Sequence, residues 1–542
     1  TPEQKKARRA EINRQNAQKS TGPKTPAGKA VSRLNGLTNG SRTVVLDIGK
    51  TNAKVVLVDA KTGAEIAVRK TANSVLQGPP YPHFDIEALW RFLVATLKDF
   101  AAGPGFDALS ITTHGASAAL LDATGHLAMP VLDYEHLYPD TIVEAYQRLR
   151  PDFSETFSPS LAGGLNLGAQ LHYQKTAFPE LFAKVATILT YPQYWAYRLT
   201  GIAANERTSL GCHTDLWLPF EERYSDLVDT LDIRERMAAL RSAFDALGPI
   251  RPEIAAELGL ASAVPVYCGI HDSNASLLPH LVGFGSPCTV VSTGTWVISF
   301  GVGAKPQRLD PSRDTLVNVD ANGAAVPSAR FMGGREWDLL TRDLGPVTEQ
   351  EELDAASAVI NARSMILPSV VTGTGPFPDS RSRWLAEPQL AAERRASASL
   401  YEAMMTQTCL DLIDSKGPLV VEGPYAANRL YLEALHTLMD RPLYASEATT
   451  GTAIGAALLS GIRLDVPMQR ITRRISGLGE YAKEWHAQVL SLRATVQKAV
   501  RHLSCLIERE GPTRLERNDQ NGEEGDGEHG GGCRYSLPAS LD

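Results

Sequence analysis

Residues 43–59 constrain the fold of this chain more than any other stretch. Two apolar, largely β-branched runs, 44–46 and 55–58, flank the small polar turn Gly49-Lys50-Thr51-Asn52. Runs this short, bounded by turn residues, predict strands. A third run, 65–70, follows the turn Asp59-Ala60-Lys61-Thr62-Gly63, so the segment predicts a strand–turn–strand–turn–strand meander. Asp47, Gly49, Thr51 and Lys54 crowd the first turn. Small residues let backbone N–H groups converge on an anion, and a carboxylate beside them can hold Mg²⁺ through water. The turn therefore predicts a phosphate loop carried on a hairpin. An ordinary glycine hairpin would share the same two runs.

Taken in order, the rest of residues 43–490 alternates strand and helix patterns, which predicts an α/β protein. Residues 86–100 place Leu89, Phe92, Leu93 and Leu97 at helical spacing. A strand at 108–112 runs into Thr113-His114-Gly115. Residues 119–125 predict a hairpin, and a strand from Pro130 is expected to end in Asp133-Tyr134-Glu135-His136. Polar side chains at strand ends are where α/β folds place ligands. Helices are expected over 169–182 and 194–199. The strand 264–268 enters Gly269-Ile270-His271-Asp272, where Asp272 reads either as a cap of the following helix or as a catalytic carboxylate. Residues 287–300 form a second strand–turn–strand with Ser292-Thr293-Gly294-Thr295 at its tip, repeating the chemistry of the first hairpin. Residues 417–428 run from a strand through Glu422-Gly423-Pro424 to Asn428. A helix follows over 430–439, a strand near Pro442, and a small-residue helix over 447–459.

Composition sets the outer limits. The chain has 542 residues, 43% of them hydrophobic, and a net charge of −7, which argues for several globular domains and against a nucleic-acid-binding body. Six cysteines at 212, 268, 288, 409, 505 and 533 form no CxxC pair, so no structural zinc and a reducing, cytoplasmic setting are expected. No apolar run is long enough to span a bilayer. Residues 1–41 are basic and Pro-rich and read as a disordered arm, which leaves a nucleic-acid contact open. Residues 491–542 read as a helical extension and a disordered acidic tail. Two motif matches are empty. Gly22 to Lys29 imitates a P-loop with the wrong spacing, and Gly525-Asp-Gly527-Glu-His-Gly530 lacks a strand before it.

The ordered motifs together resemble the FGGY family of carbohydrate kinases, within the actin/hexokinase/Hsp70 ATPase superfamily, over about residues 42–490. The first hairpin resembles the family's phosphate-1 loop and Ser292–Thr295 its phosphate-2 loop. Gly423 to Asn428, with 447–457, resembles the adenosine motif. Pro192-Gln193-Tyr194 to Gly201 resembles the family's Pro-Asp-Tyr segment, with Gln193 in place of Asp, and Gly269 to Asp272 resembles the segment of the catalytic aspartate. Asp47-x-Gly49-x-Thr51-Asn52, His271-Asp272-Ser273 and Ser292 to Trp296 look most similar to the L-fuculokinase-like subgroup. Three departures stand out. Ser117 occupies a position where that subgroup suggests an acidic residue, His114-Gly115 is similar to the His-Gly of xylulokinases, and Glu422-Gly423-Pro424 replaces a glycine triplet.

The resemblance implies two actin-like (ribonuclease H-like) α/β domains, 42–284 and 285–490, around a nucleotide cleft. It implies ATP and Mg²⁺ as cofactors and transfer of the γ-phosphoryl to a ketose hydroxyl. Asp272 would be the general base. Gly49, Lys50, Thr51, Asn52, Lys54, Ser292, Thr293, Gly294, Thr295, Gly423 and Asn428 would hold ATP, and Asp47 would hold Mg²⁺ through water. His114, Gly115, Asp133, Glu135, Thr214 and His271 would line the sugar site with Asp272. L-fuculose is the first expectation for the sugar, and a pentulose such as xylulose the alternative. A catalytically inactive sugar sensor on the same fold is the competing class. The only partners implied are the sugar and ATP, with a homodimer left open.

Overall fold

The computed structural model describes residues 42–446, 451–462 and 467–491. The basic arm 1–41, the tail beyond 491 and residues 447–450 of the expected adenosine-motif helix lie outside them. The expected meander is β1 (Arg42–Ile48), β2 (Asn52–Asp59) and β3 (Glu65–Ala72), antiparallel throughout. Helix α1 (Ile86–Ala102) starts where the Asp85 carboxylate accepts the Ala88 N–H at 2.9 Å. It returns the chain to β4 (Ala108–Thr113), which lies parallel to β1. Helix α2 (Tyr191–Thr200) and strands β5 (Ala246–Pro249), β6 (Pro265–Tyr267) and β7 (Ile270–His271) complete the first half. The sheet order is β5-β6-β4-β1-β2-β3, with β7 also on β4.

Helix α3 (Asp272–Phe284) leads into a second sheet. Its strands are β8 (Cys288–Thr293), β9 (Val297–Val302), β10 (Thr315–Val319), β11 (Ala325–Phe331), β12 (Leu419–Glu422), β13 (Leu443–Ser446) and β14 (Met468–Ile471). Their order is β10-β11-β9-β8-β12-β13-β14. The two sheets share one plan. Each has an antiparallel triple (β3-β2-β1, β11-β9-β8), then two parallel strands, then an antiparallel edge. Helices α4 (Gly333–Thr341), α5 (Ala391–Leu412) and α6 (Arg429–Met439) belong to the second half, and α5 and α6 pack on its sheet.

Side chains alternate across a strand, and β1 shows what that does here. Val44, Leu46 and Ile48 face a core shared with Leu89, Leu93 and Leu97 of α1 and with Trp195 of α2. Val45 faces the opposite way, into a core built from both halves of the chain, with Ala275 and Leu278 of α3, Val290, Phe300 and Ala456. Ala456 lies on α7 (Thr452–Ala457), a short helix from the end of the chain that packs on α3, β1 and β4. Because this core is shared, both sheets fall in one compact unit ending at Val489, and the late segment 452–462 packs against the early sheet.

Some elements differ from the sequence expectation. No strand runs through Asp133. The strand there is Leu127–Met129, and Pro130, with no N–H to donate, ends it. The helix expected over 169–182 breaks at Phe178 ahead of Pro179. Among the described residues the small-residue helix covers Thr452–Ala457 and gives way to a 3₁₀ turn at Leu458. No helix among the described residues is long and apolar enough to cross a membrane.

Candidate active site

Three neighbouring strand ends build the site. β1 delivers Ile48-Gly49-Lys50, β4 delivers Thr113-His114-Gly115, and β7 delivers His271-Asp272. Ile48 pairs with Thr113, and Thr113 with His271. The His114 N–H donates to Ile48 O at 2.9 Å, extending the pairing past the strands. Gly269, with φ +92°, makes the turn that sends β7 toward the cleft. A side chain there would meet Ile111 O at 3.0 Å.

Asp272 is the first residue of α3, one position inside the cap residue His271. Its Oδ1 accepts the Ser273 N–H at 2.6 Å and lies 3.2 Å from His271 Nε2. His271 is buried, and its Nδ1 faces the Asn274 amide at 3.3 Å. With that amide donating, Nε2 carries the proton. Burial holds the His271 imidazolium form down, to a pKa of about 4, so the ring is neutral at pH 7. Burial pushes the Asp272 carboxyl up to about 6 and nearby Asp47 adds to the rise, while His114 and the Ser273 amide oppose it. The side chain nevertheless keeps 31% of its surface open.

Asp47 points to the same face of β1 as Val45, hence toward α7. Its Oδ2 accepts from Thr452 Oγ1 at 2.5 Å and lies 3.1 Å from Lys54 Nζ in an ion pair. Among the described residues Oδ1 has no hydrogen bond. Two carboxylates in one cleft, one with a free oxygen, suit a hard divalent cation that keeps its waters. No group of three or more His, Cys, Asp or Glu able to hold a metal occurs among the described residues. In the first hairpin, the Gly49 N–H donates to Asn52 O at 2.9 Å, and Asn73 braces the tip through Gly49 O and Thr51 O.

The sugar-contact candidates separate. His114 is buried against Phe84, Tyr134 and Tyr191, and its Nδ1 sits 2.8 Å from Gly115 O. Among the described residues its Nε2 has no hydrogen-bond partner, and burial holds its pKa down to about 4. Gly115 packs on His271, where a Cβ would come within 2.7 Å of Nε2. Asp133 is buried and pairs with Lys50, while Glu135 is largely exposed. Thr214 is buried, with its hydroxyl committed to Leu210 O and to the Leu216 N–H at 3.1 Å.

In the second half, Ser292–Thr295 caps the β8–β9 hairpin. Thr293 Oγ1 donates to Glu422 O at 2.5 Å and accepts from the Tyr425 N–H at 3.0 Å, tying this tip to the loop after β12. Gly423 has φ +79°, and a Cβ there would lie 2.0 Å from Thr293 O. Asn428 caps α6 by accepting the Tyr431 N–H, and its amide donates to Ser399 Oγ. Sequence reasoning missed several neighbours. Gly333-Gly334 opens α4 so close to the hairpin that a Cβ on Gly334 would lie 2.0 Å from Gly294 O. A double glycine between strand and helix patterns was the available signal. Phe84 carried none, and Tyr134 and Thr452 fall in the stretches 130–136 and 447–457 without any local sign of these contacts, which depend on distant partners.

Comparison with known proteins identifies the family. Residues 43–279 match the N-terminal domain of the FGGY family of carbohydrate kinases, and residues 285–468 match the C-terminal domain described as carbohydrate kinase FGGY. An L-fuculokinase of Haemophilus influenzae is 25% identical over 317 residues, 54% of this chain and 66% of that protein. An L-fuculokinase of Salmonella typhi is 25% identical over 47% of this chain and 55% of that protein. The chain thus matches less than two thirds of the length of these curated relatives. The crystal structure of a carbohydrate kinase from Novosphingobium aromaticivorans superposes with a TM-score of 0.79 at 37% identity, covering 84% of this chain and all of that one. With both domains matched and a relative this similar along its whole length, the chain belongs to the FGGY family of carbohydrate kinases.

Proposed function

We propose that this protein transfers the γ-phosphoryl of ATP to a hydroxyl of a neutral ketose, with Asp272 as the general base. The observation that carries this reading is the Asp272 carboxylate, enclosed at the start of α3, faced by a neutral His271 and still open to the cleft. The acceptor hydroxyl gives its proton to Asp272 as its oxygen bonds to the γ-phosphorus, and the bond from that phosphorus to the β–γ bridging oxygen breaks to release ADP. The hairpin tips Gly49–Asn52 and Ser292–Thr295 cradle the phosphates through backbone N–H groups other than those of Gly49 and Gly294, which donate to Asn52 O and Trp296 O, with Lys54 alongside, and the Gly423–Asn428 loop receives the adenosine. Asp47 would hold Mg²⁺ through water, where the ion would supply positive charge beside the phosphates. His114, with its buried and unpartnered Nε2, reads a sugar hydroxyl.

A 6-deoxyketohexose such as L-fuculose is the first-choice acceptor, supported by the motif set and by the curated relatives. A pentulose is second, favoured by His114-Gly115. ADP release measured across ketopentoses, 6-deoxyketohexoses and polyols tests the reading. The highest kcat/KM should fall on a ketose. Turnover of glycerol with no ketose accepted would overturn the assignment.

A further inference from the structure

Lys50 stands at the tip of the first hairpin, yet its amine turns inward. It pairs with Asp133, lies 3.3 Å from Glu135, and sits 5.0 Å and 4.8 Å from the ring centres of Phe84 and Tyr134. Only 16% of its side chain is exposed. The topology accounts for this place. Adjacent strands lie about 4.8 Å apart, so β1, β4 and β7 set Lys50, His114 and Asp272 in a row just past their ends. A sugar with its reacting hydroxyl at Asp272 lies along this row, over His114, with its far hydroxyls toward Lys50.

We propose that the Lys50 side chain is a specificity-determining element of the acceptor pocket, reading, together with Asp133, a pair of neighbouring hydroxyls on a neutral sugar. The inference rests on the kinase reading above. The amine donates to one hydroxyl and the carboxylate accepts from the other, so a substrate lacking either leaves a desolvated charged group short of a partner. Swinging the amine to a nucleotide phosphate would instead strip Asp133, only 6% exposed, of its cation, and an unpaired buried carboxylate is costly. The pair also rejects sugar acids. The charge of Lys50 is already matched by Asp133, and Glu135 and Asp272 make the rest of the pocket acidic, so an incoming carboxylate meets repulsion.

The test uses the full chain with Lys50→Met, Lys50→Arg and the double variant Lys50→Met/Asp133→Asn. Calorimetry is run with the best ketose in the absence of nucleotide, and separately with ATP and Mg²⁺. Gluconate serves as the sugar-acid probe in the turnover assay. Lys50→Met should raise the Kd and KM for the ketose about tenfold or more and leave ATP affinity unchanged, and Lys50→Arg should recover part of the loss. If the single Met variant is unstable, the double variant, which leaves no unpaired buried charge, should fold and still bind the ketose weakly. Weakened ATP binding with unchanged ketose affinity would make Lys50 a phosphate ligand and overturn the proposal. Wild-type preference for gluconate over every ketose would overturn it too. Ketose binding that depends on Lys50 without any ADP release would retain the pocket and remove the kinase reading. A wild type that neither binds nor phosphorylates any ketose removes both.

Discussion

Asp272 answers to two demands, one structural and one chemical. As the first residue of α3 it accepts the Ser273 N–H, a task an asparagine oxygen performs as well. As a base it must accept a proton, which an amide cannot do. Asp272→Asn should therefore lower kcat on the order of 10²–10⁴-fold with ATP affinity retained; near-normal turnover would leave only the structural role. The pH dependence follows from the same carboxyl. Its pKa of about 6 means that the base is protonated below that pH, so kcat/KM should fall about tenfold per pH unit on the acid side and level off above it. Stability runs the other way. A carboxyl raised on folding holds its proton more tightly when folded, so its contribution is present in acid and lost as pH rises through about 6. Asp272→Asn should then melt no lower than wild type at pH 8, and a lower midpoint there would contradict the burial argument.

At the scale of elements, α3 and α7 decide how closely the two sheets approach. Both helices are rich in small residues, and Gly455 of α7 lies against the backbone of α3. A Cβ on Gly455 would sit 1.7 Å from the Ala275 carbonyl oxygen. Neither helix backbone can yield as a flexible side chain would, so Gly455→Ala should cost about 1–3 kcal/mol, seen as a lower midpoint in a calorimetric melt. Because α7 also brings Thr452 to Asp47, the same variant should weaken nucleotide binding. An unchanged midpoint would mean that the helices do not touch there.

For the whole molecule, both sheets and all the proposed site residues lie within 42–491, and the compact unit that contains the sheets ends at Val489. A chain trimmed to 42–500 should keep the melting midpoint and the turnover of the full chain. A large loss of either, measured side by side, would show that the flanking residues pack on the body or complete the site.

Local pattern in the sequence was enough for the meander at 43–72, the second hairpin, α1, α6 and the helix start at Asp272, because strand alternation, helical spacing and turn chemistry are all written within a few neighbouring residues. It was also enough for the family, since the glycine, hydroxyl and carboxylate motifs fall in one order along the chain. Tertiary structure alone decided what those side chains do. Lys50 reads in sequence as part of a phosphate loop, and only the tertiary packing brings it to Asp133 and Tyr134. Thr214 is expected from the sequence as a sugar contact, and only its buried turn shows its hydroxyl already committed. Thr452 reads in sequence as one residue of the small-residue helix over 447–459, yet it meets Asp47 across 405 residues of chain. Strand and helix propensities act over a few residues, whereas a contact between sheet ends depends on how every intervening element packs.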